Sequence, residues 1–281
     1  MTVKKRPERE GIMLAHPLSS RRLSQLTDPF IIQPKLNGER CWVEWFNNAT
    51  PVLVSSYGNE FKLPHISDAL LSLNLEGWRL DGELYIHGEP FETIHSIASA
   101  SRKELHPRSK EMQFYIFDYK STDAQIHRLV DLKELHIGPP LHLVPALAVH
   151  PDTWQPHLIN WVKEGYEGIM FREPTAPYIE ARTPHLLKYK PTHLDEYTIV
   201  GVKEGEGWTT GMLGSFLVQG DDNTTFSVGS GALLTKQNRQ SLWARREELI
   251  GKILVVKHEA LTTTGGIPKC AVALSLKEDE I

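Results

Sequence analysis

The chain has 281 residues, of which 40% are hydrophobic and 23% are charged. This balance is typical of a folded globular protein and excludes a disordered or fibrous chain. Acidic residues (35) outnumber Lys and Arg (31), which gives a formal charge of −4 and excludes a surface coated in positive charge. The length suits one large or two moderate domains, and any contact with nucleic acid must be local.

Membrane and secretory classes are also disfavoured. No apolar run approaches the roughly 20 residues of a membrane span, and the apolar residues 12–15 are too few for a secretory signal. Cys41 and Cys270 are the only cysteines, and no CxxC motif occurs, which argues against a disulfide framework and a thiolate zinc site. We therefore expect a protein of a reducing compartment, the cytoplasm, without a membrane partner.

Charge is unevenly distributed along the chain. The first forty residues hold eight basic residues against four acidic ones, and residues 4–9 form the densest basic group. Such a head is either a solvated tail or a contact to the phosphate backbone, because basic clusters gain affinity by releasing counterions. The sequence leaves both interpretations open.

The first two thirds of the chain mixes strands and helices. Aromatic and β-branched alternation predicts strands, apolar residues at helical spacing predict helices, and turn residues at 47–51 predict a hairpin. The predicted strands are 30–34, 41–46, 52–55, 78–86, 112–119, a buried strand at 142–149, and 186–190; the predicted helices are 64–73, 91–100, 126–135 and 157–164.

A second domain is predicted to begin after Pro191, which would end the preceding strand. Beyond it, one helix at about 235–249 interrupts five short strands, a pattern typical of a small closed or partly open barrel of the OB type. We therefore predict an α+β protein with domains at 1–191 and 192–281. The strands of the second domain are 197–202, 213–219, 224–228, 253–258 and 270–276.

Five short motifs carry residues suited to nucleotide chemistry. Each has an ordinary interpretation by itself: a KxxGxR match arises by chance, Asn37-Gly38 is a good hairpin turn, and acids or lysines on strands often face solvent. Their order along one chain is the informative property. The motifs are Lys35-Leu36-Asn37-Gly38-Glu39-Arg40, Asp81-Gly82-Glu83, Phe114-Tyr115-Ile116-Phe117-Asp118, Glu167-Gly168-Ile169-Met170-Phe171-Arg172 and Leu186-Leu187-Lys188-Tyr189-Lys190.

In this order the five motifs resemble those of the covalent nucleotidyltransferase superfamily of ligases and capping enzymes. The match is to ATP-dependent DNA ligases of the small viral and phage type, and it covers residues 32–277. The resemblance implies a nucleotidyltransferase (adenylation) domain of antiparallel sheets and helices, followed by a small OB-fold β-barrel. A short loop at 204–212 lacks room for the long latch of some viral ligases.

The residue types suit the chemistry of nucleotide transfer. A lysine nucleophile must be neutral to attack phosphorus, so nearby positive charge has to lower its pKa. Lys188, Lys190 and a divalent cation are the candidates for that charge. Carboxylates such as Glu83 and Glu167 supply the hard oxygen ligands that Mg²⁺ prefers.

The resemblance implies three steps. Lys35 attacks ATP to form lysyl-AMP, AMP passes to the 5′-phosphate at a nick, and the 3′-hydroxyl then expels AMP. The implied cofactors are ATP and Mg²⁺ or Mn²⁺. The implied partner is nicked duplex DNA, with RNA in the nicked strands left open, and the implied state is a monomer.

The resemblance also implies a role for each matched side chain. The catalytic residues would be Lys35, Arg40, Arg182, Lys188 and Lys190. ATP would be bound by Gln33, Lys35, Arg40, Glu83, Phe117, Glu167, Lys188 and Lys190, with adenine stacked on Phe117 and read by the backbone of Gln33. Metal ligands would be Glu83 and Glu167, and nucleic-acid contacts would be Phe91, Arg182 and Asn37.

Three positions depart from the family pattern. Asn37 stands where the family has Asp, which keeps the shape but loses a negative charge near the nick. Ser56 replaces a phosphate-binding arginine, and Lys277 is the single good match to the basic pair of the last motif. The Asn37 departure keeps an RNA ligase, or one that tolerates RNA on the 3′-hydroxyl strand, as an alternative.

Other classes fit less well. An NAD-dependent ligase is disfavoured because only 34 residues precede Lys35, and a GTP-using capping enzyme is disfavoured by the region around Phe117 and the short length. A non-catalytic nucleic-acid-binding module built on an OB barrel remains the alternative from another class. It is disfavoured because the charged residues of the five motifs are all present.

Overall fold

The computed structural model describes residues 11–24, 26, 28–46, 50–75, 77–100, 104–262 and 266–277. The basic residues 4–9 and residues 47–49 of the predicted turn lie outside this part. The chain divides into two compact units, Met1–Lys190 and Pro191–Ile281, and the division falls one residue from the predicted boundary. Within the described residues, no helix has both the length and the apolar character needed to cross a membrane.

The first unit contains two sheets and their covering helices. Its strands are β1 (Leu14–Pro17), β2 (Phe30–Lys35), β3 (Glu39–Phe46), β4 (Thr50–Ser55), β5 (Glu60–Phe61), β6 (Arg79–Tyr85), β7 (Gln113–Tyr119), β8 (Leu141–Leu143), β9 (Leu147–Val149), β10 (Gly168–Arg172) and β11 (Arg182–Tyr189). Its helices are α1 (Ser20–Leu23), α2 (Pro64–Leu71), α3 (Phe91–Ala100), α4 (Gln125–Glu134) and α5 (Gln155–Lys163), with a 3₁₀ turn at Ser109–Glu111.

The larger sheet has the strand order β5-β4-β3-β6-β7-β8. Its strands are antiparallel except for the parallel pair β7 and β8. Apolar residues at helical spacing bury one face of α3, through Ile94, Ile97 and Ala98, in the same core as Leu84 and Phe114. This packing fixes the start of α3 beside the end of β6.

The second sheet has the order β1-β11-β10-β2-β9. Strand β10 lies between β2 and β11, and its first residue, Gly168, pairs with Lys35. A Cβ atom at Gly168 would lie 2.2 Å from the carbonyl oxygen of Tyr189, so β10 and β11 approach each other closely only because this residue is glycine. The sheet therefore brings the ends of β2, β10 and β11 together.

The predicted buried strand at 142–149 is wrong as one element. The segment forms two three-residue strands in different sheets, β8 beside β7 and β9 beside β2, and Leu147 is 40% exposed. Pro145 lies between the two strands and provides no N–H for a ladder. The predicted helices at 64–73, 91–100, 126–135 and 157–164 are confirmed to within two residues.

The second unit is a single sheet with one α-helix among the described residues. Its strands follow the order β14-β13-β12-β15-β16, all antiparallel, so the described pairs form an open ladder with β14 and β16 at its edges. The predicted helix 235–249 ends early and continues as a 3₁₀ turn, Arg246–Leu249. The elements are β12 (His193–Glu204), β13 (Leu213–Gln219), β14 (Thr225–Val228), α6 (Lys236–Ala244), β15 (Ile253–His258) and β16 (Val272–Leu276).

Candidate active site

Both sheets of the first unit contribute side chains to a cavity of about 900 Å³. That volume lies at the upper end of the range for small-molecule pockets, so it accommodates a nucleotide but not a duplex. Of the residues singled out in the sequence, the cavity is lined by Gln33, Lys35, Arg40, Glu83, Phe91, Phe117, Arg182 and Lys188, and by Ser56.

Lys35 lies at the end of β2 and is joined to β10 by both backbone and side chain. The N–H of Glu167 donates to the carbonyl oxygen of Lys35 at 2.9 Å, and the Lys35 ammonium pairs with the Glu167 carboxylate. Lys190 reaches the other oxygen of that carboxylate at 2.6 Å. Glu167 therefore bridges two lysines, and each of the three side chains is about one fifth exposed.

Electrostatic effects differ among these groups. Burial lowers the pKa of Lys188, and the neighbouring Lys35 and Lys190 lower it further. Burial opposes ionisation of Glu167, but the two paired lysines outweigh it and leave the pKa of this carboxyl below its usual value. Glu167 is consequently a stable anion within a cluster of three lysines.

Glu83 lies in the middle of β6, opposite Arg40 on β3. Its carboxylate accepts a hydrogen bond from the N–H of Gly38 at 3.3 Å. Burial raises the pKa of Glu83 to about 7, against the opposing attraction of Lys35 and Arg40. This carboxyl is therefore poised to gain or lose a proton near neutral pH.

Phe117 forms an aromatic wall of the cavity and has cations beside its ring. The guanidinium carbon of Arg40 lies 4.5 Å from the ring centroid and that of Arg172 lies 5.3 Å away. Asp81 holds Arg40 through both its Nε and Nη2 groups, with 2.6 Å from Nε to Oδ1. Phe117 and Arg40 are thus fixed relative to one another.

The Gln33 side chain is buried and forms hydrogen bonds within the protein. Its Nε2 donates to the carbonyl oxygen of Phe117 at 3.2 Å, and its Oε1 accepts from Arg172 Nε at 2.6 Å. The amide group of the Gln33 side chain is therefore bonded within the protein, and the reading of a base by the Gln33 backbone stays a prediction. The bond to Phe117 also ties β2 to β7 across the two sheets.

A buried ionic network beneath Phe117 was not predicted from the sequence. Asp118 is fully buried and accepts from Arg128 and Arg172, both at 2.8 Å, while Gln125 accepts from Arg128 at 2.7 Å. Buried charges occur where they are paired, so this network is well satisfied. The sequence signal for this network is that Asp118 and Arg172 are charged residues near the ends of otherwise apolar strands.

The rim of the cavity carries side chains from α3 and β11. Phe91 begins α3, and its ring lies against that of His95 with centroids 5.7 Å apart. Arg182 lies at the start of β11 and donates to the carbonyl oxygen of Ala15 on β1. An aromatic face and a cation therefore occupy the mouth of the cavity.

Residues 12–190 match a family described as ATP dependent DNA ligase domain, and residues 204–276 match a family described as DNA ligase OB-like domain. The first match alone covers more than half of the chain. The chain belongs to the ATP-dependent DNA ligase family.

Two curated ligases and one solved structure illustrate the relationship. A DNA ligase of African swine fever virus is 30% identical over 278 residues, which cover 90% of this chain but 64% of the viral protein. A DNA ligase of Haemophilus influenzae is 22% identical, covering 90% of this chain and 88% of its own length. A structure titled for Lig E DNA ligases has a TM-score of 0.74 at 24% identity, covers 95% and 99% of the two chains, and shows the same fold.

The fold of this chain brings most of the predicted site residues together. Glu167 and Lys190 lie outside the cavity lining and join it through Lys35. Asn37 lies in the turn between β2 and β3, half-buried and away from the cavity wall. The structure gives no direct contact through which Asn37 would act.

The predicted metal ligands are two carboxylates rather than a complete coordination shell. Among the described residues, no group of three or more His, Cys, Asp or Glu side chains is arranged to hold a metal ion. Mg²⁺ is commonly bound through one or two carboxylates together with substrate phosphates and water. Glu83 and Glu167 fit that mode, in which the nucleotide provides further oxygen ligands.

Proposed function

We propose that this protein is an ATP-dependent ligase that seals 3′-hydroxyl/5′-phosphate nicks in duplex DNA. The observation that carries the proposal is the position of Lys35, which lines a nucleotide-sized cavity and shares one carboxylate with Lys190. The family membership of the chain agrees with this chemistry. The domains that perform it are residues 1–191 for adenylation and 192–281 for the OB fold.

The first step joins AMP to the protein. The Lys35 Nζ atom, after losing its proton, forms a bond to the α-phosphorus of ATP, and the bond to pyrophosphate breaks. Lys188 and Lys190 supply positive charge that stabilises the charge that develops on the phosphate oxygens. Lys35 must also release Glu167, so Lys190 keeps that carboxylate paired while the nucleophile moves.

The nucleotide is held by the groups around Phe117. Adenine stacks on the ring of Phe117 and is read by the backbone of Gln33, while Arg40 and Glu83 bind the ribose. Arg40 reaches this position already fixed by Asp81, which reduces the conformational entropy lost on binding. The same contacts hold AMP through the following two steps.

A divalent cation, Mg²⁺ or Mn²⁺, is part of the proposal, with Glu83 and Glu167 as its protein ligands. Bound there with the nucleotide, it would neutralise phosphate charge. Two lysines lower the pKa of Glu167 below its usual value, which favours the carboxylate form that binds a cation when Lys35 leaves it. Glu83 requires deprotonation first.

The nick is bound at the mouth of the cavity. Arg182 pairs with backbone phosphate, Phe91 packs against a sugar, and Asn37 contributes within the adjoining turn. AMP passes from Lys35 to the 5′-phosphate, and the 3′-hydroxyl oxygen then bonds to that phosphorus while AMP leaves. We further predict that the protein acts as a monomer in the cytoplasm.

Covalent labelling tests the reaction class. Incubation with ATP labelled at the α-phosphate and Mg²⁺ should attach label to the wild-type chain, and Lys35→Ala should abolish it because no other amine replaces the nucleophile. The exposed Lys163→Ala on α5 is the matched control and should keep the label. Persistent label on Lys35→Ala would contradict the assignment of Lys35 as the nucleophile. Absence of label on the wild-type chain would favour a non-catalytic binding module.

A second measurement decides the sugar preference. Four matched nicks with ATP and Mg²⁺ would differ only in whether the 3′-hydroxyl strand or the 5′-phosphate strand is DNA or RNA. Best sealing of the all-DNA nick is the expected result. Preference for RNA on the 3′-hydroxyl side would instead make the protein an RNA or hybrid ligase and assign the cause to Asn37 and Ser56.

A further inference from the structure

The mouth of the cavity holds a carboxylate–imidazole pair that none of the steps above uses. Glu39, the first residue of β3, accepts a hydrogen bond from Nδ1 of His95 on α3. Both residues line the cavity. The His95 side chain is 54% exposed and that of Glu39 is 18% exposed, so the carboxylate supports the imidazole from the protein side and the ring faces the opening.

The partner of Nδ1 determines what Nε2 can do. Because a carboxylate accepts the proton on Nδ1, the neutral ring carries its lone pair on Nε2. Within the described part of the chain, Nε2 contacts the Ser99 hydroxyl, one helical turn further along α3, at 3.3 Å. This distance lies beyond the usual range for an O–H donor, so another hydroxyl can take the place of Ser99 at little cost.

The surroundings of His95 favour a sugar hydroxyl as that group. Phe91 lies one turn earlier on α3 with its ring nearly parallel to the imidazole, at an interplanar angle of 27°. Aromatic faces at a cavity mouth are suited to stacking against nucleotides. Since the cavity admits a nucleotide but not a duplex, a nicked duplex must lie across the mouth, where it meets Phe91 and His95.

The two other carboxylates near the reacting groups already have partners. Both oxygens of Glu167, which lies outside the cavity lining, pair with lysines, and the Glu83 carboxylate accepts from the Gly38 N–H. Asn37 has no acid–base function and lies off the cavity wall. Among the described cavity residues, His95 is therefore the acceptor most exposed to a hydroxyl arriving at the mouth.

We propose that His95, oriented by Glu39, is the general base of the strand-joining step. Nε2 accepts the proton of the 3′-hydroxyl, the 3′-oxygen bonds to the 5′-phosphorus, and the bond from that phosphorus to AMP breaks. AMP leaves as an anion, and His95 returns its proton to water. This inference rests on the proposed ligase function, because that function supplies the adenylated nick.

The test isolates the last step. Full-length wild-type and variant chains are mixed with a chemically pre-adenylated nicked DNA and Mg²⁺ without ATP, and single-turnover joining is timed. Label transfer from ATP to Lys35 is measured in parallel. In His95→Ala, joining should fall about 100-fold more than Lys35 labelling, within the usual range for a lost general base. His127→Ala, an exposed histidine on α4, is the control for both steps.

Chemical rescue separates a base from a structural side chain. Added imidazole should raise the joining rate of His95→Ala at least about tenfold, as an order-of-magnitude expectation for replacing a lost base. It should leave the joining rate of His127→Ala unchanged. Glu39→Gln should also slow joining, because the amide no longer fixes the tautomer, and imidazole should not restore it.

The outcomes distinguish the two levels of the argument. Two results would overturn the role of His95 as a base while leaving the ligase assignment intact. One is an equal reduction of joining and of Lys35 labelling in His95→Ala, and the other is a joining rate that imidazole does not restore. Absence of Lys35 labelling in the wild-type chain would instead overturn the proposed function.

Discussion

At the scale of single residues, Glu83 links the site to stability. Its pKa rises from 4.5 to about 7 on folding because it is buried. The folded chain therefore binds more protons than the unfolded chain between these pH values, and the free energy of unfolding falls as pH rises through that window. Above pH 7 the unfavourable contribution of Glu83 is fully present.

Glu83→Gln should consequently stabilise the protein at pH 8. We expect a gain of about 1–3 kcal/mol at pH 8 that disappears near pH 4.5, since each pKa unit corresponds to about 1.4 kcal/mol. Urea unfolding at both pH values, with EDTA and without nucleotide, measures it. The exposed Glu134→Gln is the control. An equal gain at both pH values would show that titration of Glu83 is not the cause.

The sequence allows prediction of residues that belong to short motifs with a recognisable order along the chain. Lys35, Glu83 and Lys188 could be predicted because their motifs follow one another in a specific arrangement, and all three line the cavity. The buried pair of Asp118 and Arg128 was not found, since a charged residue is ordinarily exposed and nothing local shows that two charges will meet in the core. Partners such as these become visible only when the tertiary fold is known.

At the scale of elements, the contact between β10 and β11 depends on Gly168. A Cβ atom there would meet the Tyr189 carbonyl oxygen at 2.2 Å, so one strand must move away from the other. The movement would displace Glu167 and Lys190, which pair with each other at 2.6 Å. The small residue thus maintains the geometry of the lysine cluster.

We expect Gly168→Ala to lower the melting temperature and to reduce Lys35 labelling at least tenfold, an order-of-magnitude expectation for a displaced catalytic group. Gly138→Ala is the matched control, because no atom lies within 4 Å of its added Cβ. Thermal unfolding and labelling with ATP check the two effects. Normal labelling in Gly168→Ala would show that the strands adjust without disturbing the site.

In the second unit, α6 is attached to the sheet by one buried arginine. Arg239 is 8% exposed, and its guanidinium donates only to backbone carbonyl oxygens. This arrangement ties the helix to strand β13, to the residue that follows β14 and to the loop before α6, where an apolar contact would not satisfy the carbonyl groups. The four acceptors are Leu213 at 2.7 Å, Gly214 at 2.8 Å, Gly229 at 2.7 Å and Leu234 at 3.0 Å.

Arg239→Met should destabilise the second unit by about 3–5 kcal/mol, because several buried carbonyl groups lose their partner together. Lys236→Ala on the exposed side of α6 should change stability by less than about 0.5 kcal/mol. Chemical denaturation followed by tryptophan fluorescence reports both, since Trp243 lies in α6. A loss below 1 kcal/mol for Arg239→Met would mean that water replaces the guanidinium.

Element prediction succeeded where periodicity was long and failed where strands were very short. Helix α3 was predicted over its observed bounds, because ten residues show a clear apolar face. Strands β8 and β9 have three residues each, too few for a pattern, and their assignment to different sheets depends on distant partners. The four-residue β1 was missed for the same reason, since β11 determines its conformation.

At the scale of the whole molecule, the net charge of −4 means that affinity for DNA depends on a few placed cations. Arg182 is one of them in the proposed function. Removing one phosphate contact reduces the slope of log affinity against log salt by about 1. Arg182→Ala should therefore weaken binding to a nicked duplex and flatten that slope.

Titration of labelled nicked DNA at several salt concentrations measures the slope. The exposed Lys133→Ala on α4, outside the cavity, is the control and should leave the slope as in the wild-type chain. A slope unchanged in Arg182→Ala would mean that this side chain does not meet phosphate.

The two sheets of the first unit draw on the chain in different ways, and this determines the order in which they can assemble. The strands of the larger sheet come from one continuous stretch of chain, Glu39 to Leu143. In the sheet that contains Lys35, β1 and β2 pair with β10 and β11, which are made much later. Contacts between distant segments form late because loop closure costs entropy. During synthesis the nucleophile is therefore made early but acquires Glu167, Lys188 and Lys190 last. A nascent chain that has not reached Lys190 lacks part of this cluster, so in the proposed function the chain can react with ATP only when the first unit has been made in full.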